Sequence, residues 1–164
     1  MGVASRKNPK EQFQKLLKKY KGKVTGTQGG LIPLFEPWAV FVKQNVFLIG
    51  DAAGFVKATT GGGLVPGLNS AKILANSLIK NSVYSPEIYL HVAPRLLLNL
   101  NLRKIMDSFT EKDWNELVKE LNTAEAKKAL QEVNRDKLFQ LLLSIAVKNP
   151  RIMKYGLKYF DALL

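Results

Sequence analysis

Residues 46–80 read VFLIGDAAGFVKATTGGGLVPGLNSAKILANSLIK, in which an apolar run, a Gly-Asp turn, a triple glycine and an amphipathic helix follow one another. The apolar run is stopped by Gly50, which predicts a short buried strand whose end carries Asp51 to a sheet edge. Ligands of open α/β folds bind at such edges. The glycines at 61–63 let the backbone approach a flat ligand, and the helix predicted to begin near Leu64 directs its unpaired amides toward that ligand. The stretch therefore predicts a binding site.

Two parts of this stretch, GDAAGFV at residues 50–56 and TTGGGL at residues 59–64, resemble the geranylgeranyl reductase family. Members of that family are flavoproteins of the hydroxybenzoate-hydroxylase superfamily, and they saturate double bonds in polyprenyl lipids. The resemblance implies FAD as the cofactor, with the Asp51 carboxylate on a ribityl hydroxyl. It also implies that Gly63 and Leu64, which open the helix, contact the isoalloxazine through their backbone.

The cofactor-binding residues expected from the resemblance are Gly50, Asp51, Gly62, Gly63 and Leu64. An alternative role for Asp51 is that of a structural turn residue. The first turn of the helix could likewise serve packing alone, although a glycine triplet rarely opens a helix for that reason. Ala58 stands where family members usually have a proline, which predicts a looser loop. No side chain stands out as a general acid, so the catalytic residues are unknown.

A complete family member begins with a GxGxxG turn that binds the ADP half of FAD. No GxGxxG occurs in this chain, and its opening MGVA resembles the end of the last strand of the family's substrate sheet. We therefore expect an α+β fold that is the C-terminal portion of a flavoprotein reductase. Residues 1–82 would form the partial FAD and substrate region, and residues 83–164 a helical domain. The N-terminal half is then expected on a separate chain, unless the gene is mis-started or decayed.

Composition and length narrow the protein class. The 164 residues, 46% of them hydrophobic and 23% charged, are typical of a globular protein. The absence of cysteine excludes disulfides and thiolate metal sites, and the single histidine, His91, excludes a multi-histidine site, so no metal is predicted. We find neither a signal peptide nor an uncharged stretch of membrane-spanning length. We expect a cytoplasmic protein, with peripheral contact at the membrane.

Positive charge is concentrated at the start of the chain. Residues 1–23 carry eight cations and one anion, which is +7 of the total net charge of +12. Asn8 and Pro9 predict a helix start, and Phe13, Leu16, Leu17 and Tyr20 predict its apolar face. The lysines could form a solvated face, attract anionic lipid headgroups or contact nucleic acid. The third role lacks interleaved aromatics or a recognisable motif, so we do not predict a nucleic acid partner.

The second half is predicted to be helical throughout. Ser85 to Glu87 indicates one helix start, with a bend expected at Pro94, and Thr110 to Asp113 resembles a capping box. These helices contain no paired carboxylates, HExxH spacing or nucleophile motif, so we interpret them as scaffold. Their leucine-rich faces could line a lipid cavity, but core packing is favoured.

Three functions follow from these observations. The first is part of an FAD-dependent oxidoreductase that reduces isoprenoid double bonds of prenyl lipids or phospholipids by hydride transfer from reduced flavin. The second is a non-catalytic protein that binds lipid at the membrane surface. The third is a fragment of a related flavin monooxygenase. The TTGGGL stretch favours the reductases over the monooxygenases, whereas whether this chain is itself an enzyme is left open.

Overall fold

The computed structural model describes residues 2–5, 7–20, 22–133 and 138–159. The chain divides into two compact units, Met1–Leu31 and Ile32–Leu164. The fold is α+β but mostly helical, with 61% helix and 4% strand over the residues that the structure describes. The expected division into residues 1–82 and 83–164 separates a binding region from a scaffold, and it stays a prediction.

The first unit contains helix α1, Pro9–Lys18, which begins where the sequence predicts. Asn8 precedes it in the left-handed conformation, and its side-chain amide lies 3.5 Å from Glu11 instead of capping the helix. Residues 2–5 form no strand, which differs from the expected end of a substrate sheet, while Met1 lies outside the described residues. Val3 and Ala4 line a cleft together with α1 rather than pairing with a neighbouring strand.

The second unit contains an antiparallel hairpin of β1, Val42–Lys43, and β2, Val46–Phe47. A buried strand over residues 46–49 was expected, but β2 is two residues long and Val46 is 62% exposed. Within the described residues the sheet has two strands, so no third strand pairs with β2 beside Val46. Gly50, with a φ of +56°, then turns the chain away.

An aromatic core joins this hairpin to the helices that follow it. Phe35, Phe41 and Phe55 are almost fully buried, and the Phe41 and Phe55 rings lie edge to face with centroids 4.9 Å apart. Large aromatic side chains are usually buried, but the Trp38 side chain is 87% exposed. It lies in a turn of the chain, whereas Phe41 adjoins β1 and reaches the core. The helices that follow are α2 Leu64–Lys80, α3 Tyr84–His91 and α4 Ala93–Asp107.

The remaining described helices form the C-terminal part: α5 Glu111–Leu121, α6 Ala124–Glu132, α7 Leu138–Lys148, a 3₁₀ turn Pro150–Ile152 and α8 Met153–Lys158. The predicted helical character is confirmed here, and so is the capping box between Thr110 and Asp113. Near Pro94 the chain breaks between two helices instead of bending within one, because proline cannot donate to the preceding turn. None of the described helices has both the length and the apolar character that a membrane span requires.

Candidate functional site

A one-turn 3₁₀ helix, Gly50–Ala53, carries the predicted Gly-Asp pair. It is closed by hydrogen bonds from the Gly54 N–H to the Asp51 carbonyl and from the Phe55 N–H to the Gly50 carbonyl, each 2.9 Å long. Gly54 has a φ of +68°, and a Cβ there would lie 2.9 Å from the Leu34 carbonyl oxygen. A side chain at position 54 would clash with the Leu34 carbonyl oxygen, so the turn that carries Asp51 requires glycine there.

Helix α2 holds the turn in place. The Gly50 N–H donates to Ser70 Oγ at 3.2 Å, and the Ser70 hydroxyl donates to the Gly67 carbonyl at 2.7 Å. Gly50 and Gly67 pack backbone to backbone, since a Cβ on Gly67 would lie 3.4 Å from the Gly50 Cα. Nearby, the Tyr84 hydroxyl donates to the Leu48 carbonyl at 3.0 Å, and burial raises the pKa of Tyr84 to about 12. The turn is thus fixed from two helices.

Asp51 and Gly63 meet at the beginning of α2. The Asp51 residue is exposed, yet a Cβ on Gly63 would overlap its Oδ1 and lie 3.4 Å from its Cγ. Only glycine can therefore occupy position 63 without displacing this carboxylate. The helix begins at Leu64, as predicted, and the amides of Leu64 and Val65 precede its first intrahelical bond, which the Gly67 N–H donates to the Gly63 carbonyl at 2.8 Å.

The glycine-rich loop before α2 is closed by its own backbone. The Lys57 N–H donates to the Gly62 carbonyl at 3.1 Å, and the Gly61 N–H donates to the Lys57 carbonyl at 2.8 Å. Ala58, at which the resemblance led us to expect a proline, is buried. Together these contacts hold the loop without a proline, and they place Gly62 in the closing bridge rather than beside Asp51.

A polar residue of α4 also holds this loop. The Thr59 hydroxyl donates to Asn99 Oδ1 at 2.6 Å, and Asn99 Nδ2 donates to the Arg95 carbonyl at 2.8 Å. Asn99 is 4% exposed, so its amide is oriented by bonds on both sides. Thr59 and Asn99 are 40 residues apart in sequence, and their hydrogen bond attaches the glycine-rich loop to α4.

Sequence reasoning missed Ser70, Tyr84 and Asn99, which position the site without belonging to its motif. Two of them carry a recognisable signal. Ser70 lies four residues after the buried Pro66 and seven before the buried Ser77, on the inward face of α2. Asn99 lies three residues after the buried Leu96 on α4. A polar residue at a core position needs a hydrogen-bond partner, so this spacing indicates a structural contact.

Apolar side chains surround the start of α2. Leu64 and Leu68 are 76% and 62% exposed, and Ile32 lies near the loop, because a Cβ on Gly61 would be 3.4 Å from its Cδ1. The face thus combines an exposed carboxylate, bare glycine backbone, helix-start amides and apolar walls. These groups fit the ribityl chain and ring of a flavin. No cluster of three or more potential metal ligands occurs within the described part of the chain.

The chain is distantly similar to lipid reductases. It is 28% identical over 139 residues to digeranylgeranylglycerophospholipid reductase 3 of Methanosphaera stadtmanae, a match over 73% of this chain and 35% of that protein. Reductase 2 of the same organism is 29% identical over 118 residues, 65% of this chain and 29% of that protein. The chain thus spans about a third of the length of these curated relatives.

A shorter stretch is similar to the protein CbrA of Escherichia coli, with 42% identity over 65 residues, which are 38% of this chain and 18% of that protein. No protein-family model matches the chain. No solved structure matches it. The similarity therefore indicates a relationship to geranylgeranyl reductases at low identity.

Proposed function

We propose that this chain forms the ring side of the FAD site of an oxidoreductase that reduces isoprenoid double bonds in prenyl phospholipids. The observation that carries the proposal is the exposed Asp51 carboxylate packed against Gly63 at the start of α2. The partial similarity to two digeranylgeranylglycerophospholipid reductases supports the substrate class. The coarser conclusion is a related oxidoreductase function.

Each predicted residue has a distinct task in this proposal. Asp51 accepts a hydrogen bond from a ribityl hydroxyl, and the backbone at Gly63 and Leu64 binds the electron-rich edge of the ring. Gly50 and Gly62 act indirectly, because the first anchors the turn through Ser70 and the second closes the loop. When bound, reduced FAD would supply a hydride to one carbon of the double bond, a proton from solvent would complete the saturation at the other, and the flavin would be left oxidised. The exposed Ile32 and Leu68 offer an apolar surface against which an isoprenoid chain can be oriented.

The proposal includes a second polypeptide that binds the ADP half of FAD. No GxGxxG occurs in this chain, and the chain spans about a third of the relatives' length. Without contacts to the ADP half, most of the binding free energy of FAD is missing, so the isolated chain should retain FAD weakly.

The test is the visible absorption spectrum after gel filtration of the chain mixed with FAD, alone and with the polypeptide encoded directly upstream. Asp51→Ala removes the proposed ribityl contact, and Glu125→Ala removes an exposed carboxylate on α6 as a matched control. We expect a flavin band that co-elutes with the mixture, weakens in Asp51→Ala and persists in Glu125→Ala. Equal retention by both variants, or no retained flavin in any sample, would contradict the proposal.

The same mixture distinguishes the three functions considered. A reductase consumes the double bonds of an unsaturated prenyl lipid when the flavin is reduced without oxygen. A monooxygenase hydroxylates its substrate only with oxygen present. A non-catalytic lipid-binding protein retains the lipid without flavin, and Asp51→Ala leaves that retention unchanged.

A further inference from the structure

Helix α1 has an apolar face that is only partly buried: Phe13, Leu16 and Leu17 have intermediate exposure. Phe13, Leu16 and Leu17 follow helical spacing, and Tyr20 continues the same row just past the end of the helix. None of the ten residues of α1 is buried, and Tyr20 is 58% exposed. A helix of a globular protein ordinarily buries such a face, whereas this one keeps apolar surface accessible to a partner.

The rest of the α1 surface is basic. Lys10, Lys15, Lys18 and Lys19 are all exposed, and Lys15 pairs with Glu11 at 2.7 Å, with both side chains more than half exposed. Residues 1–23 together carry eight cations and one anion. The apolar row and the lysines share one short helix, so a partner must accept both an apolar face and dense positive charge.

A cleft beside α1 also combines apolar residues with lysines. It is lined by the apolar side chains of Val3 and Leu16 together with Lys15, Lys18 and Lys19. Three lysines next to two aliphatic residues match the chemistry of a phosphate that is joined to a hydrocarbon chain.

We propose that α1 docks on the surface of an anionic phospholipid bilayer, with its apolar row in the boundary between headgroups and acyl chains. The charge of the unit is complementary to anionic headgroups, and an amphipathic helix with lysines bordering its apolar face is the form that lies in this boundary. Nucleic acid would satisfy the lysines but leave the row of Phe13, Leu16 and Leu17 uncovered. This docking goes beyond the proposed function, because it requires neither flavin nor a second polypeptide.

The test is co-sedimentation of the full chain with vesicles of phosphatidylcholine, with and without phosphatidylglycerol. Lys18→Gln with Lys19→Gln removes two charges at the end of α1, and Lys127→Gln with Lys128→Gln removes two adjacent exposed lysines from α6 as the matched control. We expect binding only to the anionic vesicles, weakened roughly 30-fold by the α1 pair at roughly 1 kcal/mol per lysine. The α6 pair should leave binding unchanged, and circular dichroism confirms that each variant is folded.

A third variant, Phe13→Gln, tests the apolar row without changing charge, and we expect it to weaken vesicle binding as well. Asp51→Ala should leave binding unchanged, so the flavin proposal and the membrane proposal can fail separately. Equal losses in the two lysine pairs, or no binding to anionic vesicles, would overturn the docking. It would also be overturned if duplex RNA displaced the vesicles while Phe13→Gln bound them normally, because the surface would then be a nucleic acid site.

Discussion

Asp51 and Asp113 both lie near helix starts, and their surroundings differ. Asp113, in the first turn of α5, is 4% exposed. Its carboxylate accepts hydrogen bonds from Lys158 Nζ at 2.7 Å, from the Thr110 N–H at 2.9 Å and from the Tyr159 hydroxyl. The hydrogen bond from Lys158, followed by those from Thr110 and Tyr159, holds the pKa of this carboxyl well below its usual range. The fold uses this carboxylate to join the end of the chain to α5.

Asp51, beside the start of α2, is exposed, and the residue facing it is a glycine whose Cβ would displace its carboxylate. The contrast shows how to distinguish the two roles. A buried carboxylate with its lone pairs satisfied serves the fold, whereas an exposed one beside bare backbone is available to a ligand.

The largest expected effect is the loss of stability on replacing Asp113 by alanine. The substitution removes the acceptor shared by Lys158, Thr110 and Tyr159, and it leaves the capping box incomplete. We expect a clear fall in the thermal unfolding midpoint, measured by circular dichroism, whereas Asp51→Ala and the exposed Glu125→Ala melt close to the natural chain. If Asp51→Ala lowered the midpoint as much as Asp113→Ala, the two aspartates would have the same role.

The second prediction tests whether the buried Asn99 holds the glycine-rich loop beside Asp51. Asn99→Ala removes the bonds to Thr59 and Arg95 and leaves a small buried space. We expect a loss of about 1–3 kcal/mol in the free energy of unfolding, measured by urea titration, because a buried polar group loses its partner. Thr59→Ser, which retains the hydroxyl, is the control. An unchanged midpoint in Asn99→Ala would show that α4 does not hold the loop.

The third effect concerns the glycine that faces Asp51. Gly63→Ala should displace the Asp51 carboxylate. In the mixture of the chain with the upstream-encoded polypeptide, we expect the affinity for FAD to fall about tenfold, which is roughly 1.4 kcal/mol of binding free energy. Gly156→Ala is the matched control, because a Cβ there meets nothing within 4 Å. Retention is measured by equilibrium dialysis against FAD. Equal retention in the two variants would mean that the Asp51 carboxylate does not contact the cofactor.

The smallest expected effect is a dependence of stability on acid. Because the pKa of Asp113 is lowered in the folded chain, the unfolded chain takes up its proton first, near the ordinary value of about 3.9. The stabilisation is present above that value and is lost as the pH falls toward the folded pKa. We expect the urea midpoint to fall between about pH 5 and about pH 3, and to fall less in Asp113→Asn. Parallel curves for the two proteins would assign the acid response to other carboxyls.

Local patterns predicted the elements that depend on neighbouring residues. Leu64 begins its helix as expected because the glycine triplet marks the start, and the capping box at Thr110 forms within four residues. The burial of single residues was less predictable. Phe41 is buried but Trp38 is exposed, although both are large aromatics three residues apart. The difference arises because Phe41 packs on Phe35 and Phe55.

The composition, the basic start, the helical second half and the Gly-Asp and triple-glycine motifs are legible in the chain, because each depends on residue type and short spacing. The approach of Gly63 to Asp51, the bonds of Gly50 to Ser70 and the support of Thr59 by Asn99 depend on residues 12 to 40 positions apart. Such contacts form when α2 and α4 pack on the core, since packing selects one arrangement among many that the same local patterns allow. Tertiary packing therefore decides that Asp113 is buried and hydrogen-bonded while Asp51 stays exposed.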